Sequence, residues 1–274
     1  MNASSPPPSA LAAVNAPDGL ARTVVDGVPF VASNVDSLAR HICERAAAAQ
    51  GGWVVTPNID ILRRLHHDPG FKQMVGEATV FTADGKPIVW ASRLQGTPLP
   101  CRLAGSDLFI AVFRRAAAAG LRLALVGGNP GTAEQAAARL AGAGAAITRS
   151  HCPPFGFENQ PEEMARIRSL VTDFAPHIVF VGLGSPKQEW LIQQLRSLHP
   201  QAWFLGVGIS FSFVAGEVPR APKWMQAGGL EWLHRLVQEP QRLARRYLID
   251  GLPFALGLMA RSLRTRLQRR PRPL

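Results

Sequence analysis

His177-Ile178-Val179-Phe180-Val181-Gly182-Leu183-Gly184-Ser185-Pro186-Lys187-Gln188-Glu189 is the stretch on which the fold turns. From Ile178 to Val181 every side chain is apolar and none alternates with a polar one. An extended chain of that kind needs cover on both faces. Glycine, serine and proline then break the run, and a helical pattern opens at Lys187 and continues to Leu198. Buried strand, glycine turn and helix make the repeating unit of an α/β protein with parallel strands.

The same unit recurs on either side. Gly52 to Val55 reads as a strand with Asn58 to His67 as its helix, and Ala78 to Phe81 as the next strand, before a helix through Ile88-Val89-Trp90. Helix Ser106 to Ala119, strand Leu121 to Val126 and helix Thr132 to Leu140 follow, then a short strand near Ile147 and a helix from Pro161 to Phe174. Ala202 to Leu205 is a last strand. Alternation of this kind implies right-handed crossovers and a mostly parallel sheet with helices on both faces. Beyond Pro219 the strands stop, so residues 20–219 read as a catalytic α/β core and 220–274 as a helical appendage.

Charge divides the chain at the same place. Residues 220–274 hold 12 Lys/Arg and 3 Asp/Glu, a net of +9 out of +11 for all 274 residues. A near-neutral body with a basic tail suits a catalyst that works against an anionic surface. Residues 1–19 are rich in Ala, Ser and Pro and lack the basic and apolar regions of a signal peptide, so they read as a disordered leader. Cys43, Cys101 and Cys152 are few and far apart, which argues against a disulfide framework and fits a reducing cytoplasm. No apolar stretch approaches the roughly 20 residues needed to span a bilayer.

The informative polar residues fall just after the strands, where an open parallel sheet binds its ligands. Thr56 and Asn58 follow one strand, Asp84-Gly85 the next, and Gly127 to Gly131, Gly182 to Glu189 and Gly206 to Gly208 three others. The turn beginning at Gly127 leads into a helix whose free N–H groups suit a phosphate; it is equally well a tight strand-to-helix turn. Gly184 allows close approach, and Lys187 is either a point charge for a diphosphate or a plain surface lysine. Asp84 is placed to take a proton from an attacking hydroxyl, and is as readily an N-cap for the helix at Lys86. No two aspartates are separated by one residue, so an Asp-x-Asp metal clamp is missing. His66 and His67 point about 100° apart on a helix, poor geometry for a shared metal. Trp224 and Trp232 suit a base or a membrane interface, although core packing is the commoner use of tryptophan.

Taken together these motifs resemble the WecG/TagA/CpsF glycosyltransferases. The first half rests on Thr56-Pro57-Asn58, Thr82-Ala83-Asp84-Gly85 and Gly105-Ser106-Asp107-Leu108; the second on Val126-Gly127-Gly128 and Gly182 through Glu189. Gly206 through Gly216, Arg220-Ala221-Pro222-Lys223-Trp224, Gly229-Leu230-Glu231-Trp232, Arg235-Leu236 and Gln238-Glu239-Pro240 complete it, over roughly residues 30–248. The resemblance implies a Rossmann-like core and an inverting transfer from a UDP-sugar to a polyprenyl-diphosphate-linked saccharide. It also implies no metal or other cofactor, and a peripheral position at the cytoplasmic face of the membrane. It assigns the base to Asp84, donor and acceptor orientation to Thr56, Asn58 and Gln188, and the leaving diphosphate to Arg235, Arg242 and Arg245. Spacings of 7 and 3 place those arginines on one side of a helix. Pro57, Ile59 and Ile209-Ser210 depart from the family pattern and bear on the donor sugar.

Two other classes fit less well. A nicotinamide-dependent oxidoreductase carries Gly-x-Gly-x-x-Gly after its first strand, where Thr56-Pro57-Asn58 stands. A nucleic-acid-binding protein spreads aromatics among its arginines, yet from Gly251 onward the one aromatic is Phe254. The tail instead spaces Leu252, Leu256, Met259, Leu263 and Leu267 as one apolar stripe, with Arg261, Arg264, Arg266, Arg269, Arg270 and Arg272 beside or beyond it. Such a helix is expected to lie in the interface of an anionic membrane, or else to pack its stripe on the core or on another subunit of a homo-oligomer. Removal of residues 251–274 is expected to spare the fold.

Overall fold

The computed structural model describes residues 18–142 and 146–269. Most of the leader read over residues 1–19, and Arg270 and Arg272 of the tail, lie outside the described residues.

Eight strands form one sheet in the order β1-β2-β4-β3-β8-β7-β5-β6. They are β1 (Arg22–Val25), β2 (Val28–Val31), β3 (Gly52–Val55), β4 (Val80–Phe81), β5 (Leu123–Gly127), β6 (Thr148–His151), β7 (Ile178–Gly182) and β8 (Trp203–Gly206). Every pairing except β1 with β2 is parallel. The fold is Rossmann-like α/β, as the alternation implies. β4 lies outside β3, and β6 outside β5, while β7 and β8 fill the space between. The two halves of the sheet therefore meet where β3 pairs with β8, Trp53 opposite Phe204.

Strand residues alternate between two cores, which is why the runs are apolar throughout. Trp53, Val55, Val126, Val179, Val181 and Phe204 face one core. It is covered by α2 (Ile59–His67), α3 (Pro69–Met74), α4 (Lys86–Leu94), α7 (Pro161–Thr172) and α8 (Lys187–Arg196). Val54, Leu125, Phe180, Trp203 and Leu205 face the other. That one lies under α1 (Val35–Ala47), α5 (Gly105–Ala118), α6 (Thr132–Ala141) and α9 (Ser210–Ala215).

The appendage comprises α10 (Lys223–Gly228), α11 (Glu231–Gln238), α12 (Pro240–Ala244), a π-helical stretch Arg245–Gly251 and α13 (Leu252–Arg269). α13 lies back across α2 and α4. Its Phe254 and Leu258 belong to the first core, Leu258 with no exposed surface. Phe254 is packed edge-on by His66 and His67, and His66 Nδ1 also lies 3.1 Å from Asp26 Oδ2. Arg261 clasps Asp26 of the β1–β2 turn through two hydrogen bonds of 2.7 and 3.0 Å.

The face that packs is not the stripe read from the sequence. Leu252, Leu256, Leu263 and Leu267 are 44–64% exposed, and only Met259 of that set is partly buried against the core. Phe254, Leu258 and Ser262 form the buried row instead, four residues apart. The helix is thus apolar on two sides. Trp224 and Trp232 are also outside the core, at 67% and 39% exposure.

Candidate active site

The polar strand ends come together along one edge of the sheet, and side chains knit them. The Thr56 hydroxyl donates to the Gly206 carbonyl at 3.2 Å, bridging the β3–β8 junction. Gly105 packs against Thr56 so closely that a Cβ there would lie 3.2 Å from Oγ1. Asn58 caps α2, its Oδ1 accepting the Ile61 N–H at 3.0 Å. The Asp84 N–H donates to the Pro57 carbonyl at 2.9 Å, which ties the β4 turn to the β3 turn. Thr56, Asn58 and Asp84 are therefore neighbours, as the strand-end reading requires.

Asp84 does not cap the helix that follows it. α4 starts from Gly85 without a side-chain cap. The carboxylate Oδ2 instead accepts the Gly105 N–H at 3.0 Å, at the start of α5. Asp84 sits deep among protein atoms while keeping some accessible surface. Burial disfavours its charged form and pushes its pKa up to about 6. The Gly105 N–H and the Arg102 charge act the other way, and the Glu231 and Asp107 carboxylates reinforce the rise. A carboxyl poised near neutrality, with one oxygen anchored, has the properties of a general base.

Beside it is a ring of four charges that the sequence reading passed over. Leu103 N–H donates to Ala83 O, which brings Arg102 next to the β4 end. Arg102 pairs with Glu231 and, at 3.5 Å, with Asp107. Arg220 closes the ring, 2.6 Å from Asp107 and 3.2 Å from Glu231. Asp107 and Glu231 stand inside motifs that carry the family resemblance, but nothing in spacing indicates that Arg102 and Glu231, 129 positions apart, pair.

Gln188 is buried at the start of α8 and joins two turns. Its Oε1 accepts the Gly208 N–H at 3.0 Å and its Nε2 donates to Glu189 at 2.9 Å. Gly206 lets the Gln188 amide pass close to the backbone, since a Cβ would lie 2.7 Å from its nitrogen and force that side chain to shift. Gly127, at φ 106°, would place a Cβ 2.6 Å from the Gly182 carbonyl, so its immediate task is the close passage of β5 beside β7. The N-terminus of α6 just beyond it holds an internal carboxylate. Glu217 accepts from Thr132 and, at 3.1 Å, from Asn129. A phosphate binding there would have to displace it. Gly184 adopts a left-handed φ of 75° with open space around it. Lys187 pairs with Glu158 at 2.7 Å and lies over Phe155 and Phe157, 5.1 and 5.4 Å from the ring centroids. No contact joins it to Asp84.

The three arginines of the appendage are not on one helix, contrary to their spacing. The chain breaks at Glu239, with φ −133° and ψ 59°, before Pro240. Arg235 ends up on α11, Arg242 on α12 and Arg245 in the π-helical stretch. Glu239 gathers the first two, at 3.7 and 2.6 Å, whereas Arg245 makes no ion pair among the described residues. Arg246 turns inward to the buried Asp60 at 2.8 Å. Among the described residues no three His, Cys, Asp or Glu side chains gather as a metal site.

A doubly wound sheet with a buried carboxyl at one strand end, and an arginine-bearing helical segment tied beside it through Glu231 and Arg102, suits a group-transfer enzyme of the α/β class. The chain matches the family model described as glycosyl transferase WecG/TagA/CpsF over residues 23–268, and it belongs to that family. It is a glycosyltransferase of cell-surface polysaccharide synthesis.

Proposed function

We propose that the protein moves a sugar from a UDP-sugar onto a polyprenyl-diphosphate-linked saccharide, inverting the anomeric centre, at the inner face of the cell membrane. The observation that carries the chemistry is Asp84, held by Gly105 and raised to about 6 by burial. It accepts the proton of the acceptor hydroxyl as the oxygen attacks the anomeric carbon. The bond from that carbon to the UDP oxygen breaks, and its electron pair leaves with UDP. Thr56 and Asn58, beside Asp84, orient the reacting groups, and Gln188 fixes the turns that approach the donor.

Arg235, Arg242 and Arg245 receive the charge that grows on the diphosphate. Arg235 and Arg242 would exchange Glu239 for it, and Arg245 is already available. The exposed leucines of α13 and the arginines Arg264 and Arg266 give the appendage an apolar and basic surface for an anionic membrane. No helix among the described residues is long and apolar enough to cross one.

The test is a donor screen scored by UDP release. UDP-glucose, UDP-glucuronate, UDP-N-acetylmannosamine and its uronate are each offered with a short prenyl-diphosphate disaccharide. Turnover of at least one, with inverted product stereochemistry, is expected, and hydrolysis without transfer to any acceptor would refute the reading. Because this reading gives the charge of the leaving diphosphate to arginines, EDTA is expected to leave the rate intact. A tenfold loss restored by Mg²⁺ or Mn²⁺ would contradict the arginine assignment.

A further inference from the structure

Among the described residues α11 makes few side-chain hydrogen bonds to the body. None of its residues is fully buried, and those bonds run from Glu231 to Arg102 and from Gln238 to the Pro219 carbonyl at 3.2 Å, with Arg220 at the root of the appendage also bound to Glu231. Glu231 is therefore the anchor of α11, and Arg102 is what it anchors to. Arg102 is also the cation that bears on Asp84.

We propose that Glu231 is a positioning residue that couples docking of α11 to the basicity of Asp84. By taking the Arg102 guanidinium, its carboxylate keeps that cation from pairing with the base. This rests on the reading of Asp84 as the base. The charged groups facing Asp84 are Arg102 from the loop before α5, Asp107 from α5 and Glu231 from α11. Arg220 acts through the two acids that it bridges. With two cations and two anions the ring is neutral, so burial remains the largest influence on the Asp84 carboxyl. When α11 leaves, Glu231 leaves with it. Arg102 then retains only Asp107, at 3.5 Å, and is free to neutralise Asp84. An undocked appendage thereby weakens the base as well as removing Arg235, which stands one turn along α11 from Glu231.

Charge arithmetic separates this from a purely structural tie. Glu231→Gln leaves the ring with one excess positive charge and lowers the Asp84 pKa. Arg220→Gln leaves an excess negative charge and raises it. The double variant is neutral again and returns close to the parent. Single shifts of about half a pH unit or more are expected for neighbouring charges that are partly screened. The measurement is a ¹³C titration of aspartate carboxyls in the full chain, with Asp84 assigned by the signal lost in Asp84→Asn, alongside the pH profile of kcat/KM. Opposite shifts in the single variants with recovery in the double are the expected result. Shifts of the same sign, or none, would overturn the coupling. Carboxyl shifts of the expected signs that leave the acid limb of kcat/KM unmoved would uphold the coupling and remove Asp84 from the role of base.

Discussion

Asp84 carries a conflict between folding and chemistry. Its pKa is raised from 3.8 to about 6, so the folded state binds this proton more tightly than the unfolded state. That contribution to stability is complete below about pH 4 and is lost as the pH rises through about 6. At neutral pH the ionised carboxylate therefore strains the fold, by about 3 kcal/mol for a two-unit shift. Asp84→Asn removes the charge while keeping an oxygen for the Gly105 N–H. It is expected to lower the transfer rate by about 10²–10⁴-fold and to raise Tm at pH 7.5 but not at pH 4. The gain will fall short of the full figure, because a carboxylate at the start of α5 is also favoured by the helix dipole. A variant that stays active within a few-fold would move the base elsewhere. One that loses stability at pH 7.5 would show that the charge is structural. In the parent, kcat/KM should fall on the acid side of about pH 6, where the base is protonated.

At the scale of elements, strands such as β3 and β7 were legible because unbroken apolar runs admit few other readings. The helices that follow them were legible from the polar turn at their start. The β1–β2 hairpin went unread although Asp26-Gly27 between apolar runs is a hairpin signal, and both residues adopt left-handed φ values of 51° and 79°. Arg22-Thr23 opens β1 and Pro29 interrupts β2, so neither strand shows as an unbroken apolar run. Local pattern also misled at the arginines. Spacings of 7 and 3 describe one helix only if the helix continues, and Glu239-Pro240 ends it. On α13 the sequence offered two apolar rows, and hydropathy favoured the longer one. The core took Phe254 and Leu258, which pack with the apolar residues of α2 and α4. Two substitutions two residues apart, on roughly opposite sides of the helix, separate these roles. Leu258→Ala opens a cavity and is expected to cost about 2–5 kcal/mol, read as a fall in Tm. Leu256→Glu, at 64% exposure, should leave Tm within a degree or two while reducing flotation with anionic liposomes. Equal effects on Tm would mean that the exposed row also packs.

Across the whole molecule, charge and fold are divided along different lines. The excess of positive charge begins near Arg220, yet the packing of the body runs on through Leu258. Cutting at residue 250 was expected to spare the core, but it would strip Leu258 and Phe254 from it and release the Arg261 clasp on Asp26. Such a truncation cannot separate membrane binding from folding. Arg261 must also be struck from the charges offered to lipid, since Asp26 holds it. Arg264 and Arg266 are exposed on the same helix and make no ion pair among the described residues. At about 1 kcal/mol per basic residue near an anionic leaflet, neutralising both should weaken binding by about 2 kcal/mol, or roughly 30-fold in partition. Arg264→Gln with Arg266→Gln is therefore the cleaner experiment on the intact chain. Flotation with liposomes containing anionic lipid should drop by that order. Parental binding should decline as salt is raised, because the Debye length shortens. Tm and turnover of a short-chain, water-soluble acceptor should stay at parental values. Unchanged flotation of the double variant, or equal binding of the parent to zwitterionic vesicles, would remove the electrostatic part of membrane docking and leave the exposed leucines to account for whatever binding remains.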